Sequence, residues 1–268
     1  MKVTSLGWQT DLEILRLGGS EFEDRGDHLV IRSPHNPTHW WGNFLVLSSP
    51  PPPDETQHWL DVFHAELPDA SHIAFGFDGV TGSVEQLAGF SDVGMTVEVA
   101  TVMTAKEVHE PPRPNSDAIY RMLSSDDDWH QQVELAVACN DDGLEPSRYR
   151  EFCAARAVTR RAMVEAGHGT WFGAFIAGRM LSSMGLFTTQ SGLARFQSVE
   201  TSPDARRRGL AGSLVHNASE FGFHELGAHT LVMIADPTYS AIRLYREVGF
   251  TATEAQLQAE QRPKETVG

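Results

Sequence analysis

Residues 196 to 212, FQSVETSPDARRRGLAG, hold the residue types and spacing best suited to chemistry. A polar–apolar extended run ends at Thr201, Ser202-Pro203-Asp204 signals a turn, three arginines follow, and Gly209-Leu210-Ala211-Gly212 opens an amphipathic segment. A strand, a tight basic loop with small residues and a helix start together make an anion site. The first N–H groups of a helix have no internal acceptor, and the helix dipole is positive there. Small residues let a phosphate come close to the main chain, and arginines add charge and forked donors. The twelve histidines show no metal-ligand spacing such as H-E-x-x-H, so no metal is expected.

The elements around this loop must position it. Leu210, Leu214, Val215, Ala218 and Phe221 fall on one helical face. Thr230 to Ala235 is an apolar run of strand length. Asp236-Pro237 then predicts a further helix, with Asp as N-cap and Pro at its first position. Ala241, Leu244, Tyr245 and Val248 share its face, and Gly249 stops it.

Two stretches carry a resemblance. Arg206-Arg207-Arg208-Gly209-Leu210-Ala211 resembles the acetyl-CoA signature R/Q-x-x-G-x-G/A of the GNAT-type N-acetyltransferase superfamily, and Ala241 to Phe250 resembles that family's A-x-x-L-Y-x-x-x-G-F signature. The resemblance covers residues 118 to 260 and implies an acetyl-CoA co-substrate and an amine acceptor. It places the pantetheine arm along the main chain of Val199 and Thr201. It places the pyrophosphate on the N–H groups from Arg207 through Ser213, with the side chains of Arg206, Arg207 and Arg208 nearby. Gly209, Leu210, Ala211, Gly212 and Ser213 thus belong to the cofactor set. Tyr245 occupies the family position for the acid that protonates the departing thiolate, and a phenol with a pKa near ~10 suits a donor. Glu200, beside the expected thioester, is the candidate base, acting directly or through a water. The family often has Asn where this chain has Thr238. Asp236 and Thr238 are expected to replace its hydrogen bonds.

The rest of the chain reads in order. The segment to about Gly26 is poorly patterned. Strands are expected at His28–Arg32, Trp41–Leu47, Ser71–Phe77 and Val97–Thr104, and helices at Glu55–Leu67 and Val84–Ala88, the latter ending at Gly89-Phe90. Glu110 to Asn115 is a proline-dense linker, giving two expected domains, 1–114 and 115–268. The second begins with a strand at Ala118–Leu123. A helix after Ser124-Ser125 has Asp126, Asp127 and Asp128 in its first turn, where the dipole favours them. A second helix, Ser147–Glu165, carries Arg148, Arg150, Arg156, Arg160 and Arg161 on what reads as mostly a solvated face. Strands follow at Thr170–Ile176, Arg179–Thr188 and Leu193–Thr201, with hairpin turns at Ala177-Gly178 and Gln190-Ser191-Gly192. The tail after Ala255 is polar and is expected to fray. The fold class is α/β (α+β), a mixed, mostly antiparallel central sheet flanked by helices, as in the GNAT fold. The order of elements in the first half suggests a degenerate copy, in which Pro50-Pro51-Pro52-Pro53 stands where the second half has its arginine–glycine loop. Proline offers no N–H to a phosphate.

Composition narrows the partners. With 21 basic against 36 acidic residues, the formal charge is −15, which argues against nucleic acid and against an anionic membrane surface. No apolar run approaches a membrane span, and the N-terminus lacks a signal core. Two cysteines, Cys139 and Cys153, imply no disulfide scaffold, and a cytoplasmic monomer or homodimer is expected. The leading function is acetyl transfer to a primary amine of a small molecule or peptide. The alternative is a non-catalytic acyl-CoA-binding sensor. A nucleotide-binding protein is disfavoured by the absence of G-x-x-x-x-G-K-[ST].

Overall fold

The computed structural model describes residues 1–37, 39–140, 145–189, 192–238 and 241–263. The chain divides into two compact units. One takes residues 1–102, 234–238 and those from 252 onward, the other 103–233 and 239–251. The chain therefore passes between units more than once, where the sequence suggested a single boundary at 114.

The first unit contains α1 (Leu6–Leu17), β1 (Glu21–Asp24), β2 (His28–Arg32), β3 (Phe44–Leu47), α2 (Thr56–Glu66), β4 (Ile73–Phe77), α3 (Ala88–Asp92), most of β5 (Thr96–Ala105) and most of β11 (Thr251–Gln261). Its strand order is β1-β2-β3-β4-β11-β5. β1–β2, β2–β3 and β4–β11 are antiparallel and β3–β4 is parallel. β3 is apolar on both faces because both are covered. Leu45 and Leu47 pack with Trp59 and Phe63 of α2 and Phe90 of α3, while Phe44 and Val46 pack with Trp8 and Leu12 of α1. Each such side chain contributes about 1.5–3 kcal/mol on burial.

Three expectations fail here. The segment before Gly26 is not unpatterned, since it forms α1 and β1. The buried face of α1 is Gly7, Trp8, Thr10 and Leu12, two of them not large apolar residues, so hydrophobic periodicity is weak. Its start is held instead by Asp78, whose carboxylate accepts from the N–H and hydroxyl groups of both Thr4 and Ser5. The helix at Val84 does not stop at Gly89-Phe90. It runs to Asp92, and Gly89 serves close packing: a Cβ there would lie 2.9 Å from Pro53 Cα and 2.2 Å from Thr56 Oγ1. The tail does not fray after Ala255, because β11 pairs with β4 from Leu257 to Gln261, with Leu257 and Ala259 facing the core.

The second unit contains β6 (Ile119–Met122), α4 (Asp126–Ala138), α5 (Pro146–Glu165), β7 (Gly169–Ile176), β8 (Arg179–Thr188), β9 (Leu193–Thr201), α6 (Leu210–His224), most of β10 (Thr230–Ala235) and α7 (Ala241–Val248). Its strands run β6-β7-β8-β9-β10, antiparallel except for the parallel β9–β10 pair. Asp128 does more than complement a dipole. Its carboxylate accepts from Ser124 N–H (2.9 Å), Ser125 N–H (3.2 Å) and both arms of Arg121 (2.8 and 2.6 Å). The guanidinium holds that carboxyl well below the usual carboxylate range. Ala177-Gly178 forms the β7–β8 turn with positive φ at both residues, while Gln190 and Ser191 lie outside the described residues. Among the described residues no helix is long and apolar enough to cross a membrane.

Candidate active site

The loop after β9 is built as a cradle. Pro203–Ala205 makes a single 3₁₀ turn, Arg206 is extended, Arg207 adopts φ 63° and Gly209 φ 78°. All three arginines are exposed. Two left-handed residues bracketing Arg208 turn successive N–H groups the same way, which favours an anion. The first bond inside α6 runs from Ser213 N–H to Gly209 carbonyl at 3.1 Å. Leu210, Ala211 and Gly212 thus keep N–H groups with no acceptor in the helix. Ser213 N–H is used within the helix, and its hydroxyl accepts from Asn115 N–H at 2.9 Å.

Asn115 was read only as linker. It donates through Nδ2 to the Arg208 carbonyl (2.8 Å), and its Oδ1 accepts from Asp117 and Ala118 N–H. It pins the linker to the start of α6. A Cβ on Gly209 would lie 2.3 Å from the Arg113 carbonyl, so glycine is required there for contact as well as for φ.

β9 changes character along its length. Its parallel register with β10 runs from Leu193 to Arg195. Against β8, Gly185 pairs Gln197 and Ser183 pairs Glu200, so Ser198 and Val199 together oppose Met184 in a bulge, with Ser198 at φ 48°. Thr201 follows, its hydroxyl 2.9 Å from Ser182 Oγ. The Thr201 carbonyl accepts from Arg206 Nε (3.3 Å) and Cys139 Sγ (3.4 Å). A pantetheine amide using that carbonyl must share it with Arg206.

The bulge delivers Glu200 to a buried polar cluster. Burial raises its carboxyl above the ordinary range, against the opposing pull of Arg160 and then Arg156. Its Oε2 is buried without a hydrogen-bond partner. The cluster's other members stand on α5. Tyr149, Cys153, Arg156 and Arg160 follow at steps of four, three and four residues, one helical stripe. Burial pushes Tyr149 up to about 12, with Cys153 and Glu200 adding to it, and burial also raises the Cys153 thiol. Arg160 is only 8% exposed. Its Nη2 donates to Ser198 Oγ at 2.7 Å and its guanidinium lies 4.3 Å over the Trp171 ring. Burial, then Arg156, pushes it down to about 9. The reading of the α5 arginines as a solvated face therefore fails at Arg160. The spacing with Tyr149 and Cys153 was the available signal.

Tyr245 is 6% exposed on the inner face of α7 with Ile242 and Val248. Thr238 donates both its N–H and its hydroxyl to Asp236 Oδ1 at 2.7 Å, so these two residues satisfy each other. Pro237 is not the first residue of a helix, because it and Thr238 lie in a turn. Among the described residues no group of three His, Cys, Asp or Glu is placed to hold a metal ion.

Residues 129–250 match the model of the acetyltransferase (GNAT) family. The matched stretch runs from within α4 through α7 and so includes both Glu200 and the arginine–glycine loop. No curated protein matches the chain. Among solved structures, a conserved protein of unknown function from Staphylococcus epidermidis is similar at TM-score 0.69 and 12% identity, covering 90% of this chain and 93% of its own. A GCN5-related N-acetyltransferase from Kribbella flavida is similar at TM-score 0.69 and 14% identity, covering 98% of each chain. A tandem GNAT protein from the clavulanic acid biosynthesis pathway is similar at TM-score 0.54 and 11% identity, covering 94% of this chain and 88% of its own. At these identities the likeness concerns the fold.

Proposed function

We propose that the chain transfers an acetyl group from acetyl-CoA to a primary amine of a small molecule or peptide by direct attack. The observation that carries this reading is Glu200, a half-buried residue whose Oε2 is sealed from solvent and whose carboxyl is raised by burial, in the same unit as the arginine–glycine helix start. A carboxyl raised this way is a better base near neutrality than an exposed one. Acetyl-CoA fits the loop: the N–H groups of Leu210, Ala211 and Gly212 and the side chains of Arg206–Arg208 suit a pyrophosphate, and the main chain at Val199 and Thr201 suits the pantetheine arm.

In the reaction Glu200 takes a proton from the acceptor ammonium, directly or through a water. The freed nitrogen lone pair attacks the thioester carbonyl, the C–S bond breaks as Tyr245 gives its proton to the departing thiolate, and the second proton of the nitrogen is lost through solvent, which reprotonates Tyr245, while Glu200 returns its own proton to solvent. Amide and free CoA result. The alternative, an acyl-CoA-binding sensor, would need no raised carboxyl. The first unit is read as a degenerate copy of the second, a reading supported by its antiparallel, antiparallel, parallel pairing of β1 to β4. That sequence of pairings recurs in β7 to β10. The deciding experiment measures free CoA thiol released from acetyl-CoA over an amine panel. Release by the natural chain and its loss in Glu200→Gln are expected. Acetyl-CoA binding with no release from any amine would favour the sensor.

A further inference from the structure

The cluster around Glu200 holds two charges of opposite sign that do not meet. No nitrogen of Arg160 or Arg156 comes within the 4.0 Å of an ion pair with Glu200, nor with any other carboxylate among the described residues. Arg160 is nonetheless nearly sealed from solvent, and its contacts are the Ser198 hydroxyl and the Trp171 ring, with Glu200 acting on it only from beyond ion-pair distance. Half-buried Arg156 lies 5.4 Å over the Phe152 ring. Buried charge held away from its counter-charge is costly, and an anion in contact with the guanidinium groups would offset that cost. Glu200 Oε2 has the complementary lack, an acceptor with no donor. Although the whole chain is strongly acidic, the local balance is two guanidinium groups to one carboxyl.

We propose, building on the acetyltransferase reading, that the acceptor is an amine that also carries an anionic group a few bonds away, a carboxylate or a phosphate. The ammonium faces Glu200 and the anion faces Arg160 and Arg156. Each end then meets a group that touches no opposite charge among the described residues. Guanidinium forks bind carboxylate and phosphate with two parallel hydrogen bonds, which suits either anion.

The test compares the full-length chain on matched acceptors by CoA thiol release: β-alanine and γ-aminobutyrate against their amides, and O-phosphoethanolamine against ethanolamine. The anionic member of at least one pair is expected to have a kcat/KM at least tenfold above its uncharged match. The pair that shows it names the anion. Arg156→Gln should raise KM for the anionic acceptor at least tenfold and collapse the ratio towards one. Arg156→Lys should restore part of it, and KM for acetyl-CoA should stay put in both. Equal turnover of charged and uncharged members overturns the inference and leaves acetyl transfer standing. So does a ratio that survives Arg156→Gln. If no amine releases thiol, the acetyltransferase reading fails by itself. Calorimetry of the same pairs, with and without CoA, then decides the inference: preference for the anionic member upholds it, and equal or absent binding overturns it.

Discussion

β3 with its following loop and β9 with its following loop occupy the same place in their units, each leading from an antiparallel neighbour into a parallel partner. β3 has four residues, all buried, and pairs with β4 up to its last residue, Leu47. β9 has nine, of which Leu193 to Arg195 pair with β10, and the six that follow carry the bulge, Glu200 and Thr201. After β3 the chain offers three prolines, a 3₁₀ turn from Pro53, then Asp54 and Glu55, with Gly89 packed against the start of α2. After β9 it offers three exposed arginines and a left-handed glycine. One region spends its strand on packing, and its loop presents carboxylates and few N–H groups. The other leaves backbone and charge available. A similar strand arrangement thus leads into a packed turn in one unit and into an exposed basic loop in the other.

The sharpest test of that contrast is binding stoichiometry. Isothermal titration should give one acetyl-CoA per chain. Replacing Arg206, Arg207 and Arg208 together by Gln should weaken it at least a hundredfold, since hydrogen bonds from charged donors contribute about 1.5–3 kcal/mol each. Asp54→Asn with Glu55→Gln should leave binding unchanged. A second equivalent site per chain would break the comparison. Gly209→Glu should also abolish binding, but its Cβ would strike the Arg113 carbonyl, so the exposed arginines give the cleaner variant.

Glu200 has no counterpart on β3, which ends before such a position. Glu200→Gln should lower kcat about 10²–10⁴-fold at neutral pH with acetyl-CoA affinity nearly kept. The pH profile carries the sign. A base works only when ionised, and burial raises this carboxyl, so the acid limb of kcat/KM should lie above the ordinary carboxylate range, with activity rising through it. An acid limb at the pKa of a free glutamate would remove Glu200 from the chemistry.

Tyr245→Phe deletes one hydroxyl and keeps the ring that α7 buries. A fall in kcat of at least tenfold, with an unchanged melting temperature, is expected if this hydroxyl protonates the thiolate. Unchanged turnover would leave Tyr245 as a packing residue.

What the residues disclosed follows from what they encode locally. The arginine–glycine loop was legible because charge, turn and helix signals are contiguous there. Strands such as Arg179–Thr188 were legible from the turn signals that flank them, Ala177-Gly178 and Gln190-Ser191-Gly192. α1 was not, because Gly7 and Thr10 occupy half its buried face and the capping carboxylate, Asp78, is distant in sequence. β11 was hidden by polar residues on either side of Leu257 and Ala259. The site itself was half legible. Glu200 could be placed by its neighbour Thr201, but its partners come from α5, and the bulge at Ser198 that aims it leaves no mark in a pattern of alternation.

The smallest effect concerns how each helix start is held. α2 is held by packing within its own unit, Gly89 against Pro53 and Thr56. α6 is held by the linker, through the Asn115 side chain on the Arg208 carbonyl. Asn115→Ala removes that bond and the turn at Asp117 and Ala118. The N–H bond to Ser213 is main-chain and survives. The cost should be about 1 kcal/mol of stability, the size of an exposed neutral hydrogen bond, and acetyl-CoA affinity should fall only a few-fold. Asn115→Asp separates the two roles. It keeps the acceptor for Asp117 and Ala118, so stability should be closer to the natural chain. It loses the donor to Arg208 and sets a negative charge beside the loop, so affinity should fall further than in Asn115→Ala. Low salt should enlarge that gap, because screening weakens as the Debye length grows. Thermal melting and calorimetry at two ionic strengths measure both quantities. If the Asp variant binds as tightly as the Ala variant at low salt, Asn115 does not border the phosphate site, and the linker only anchors a helix.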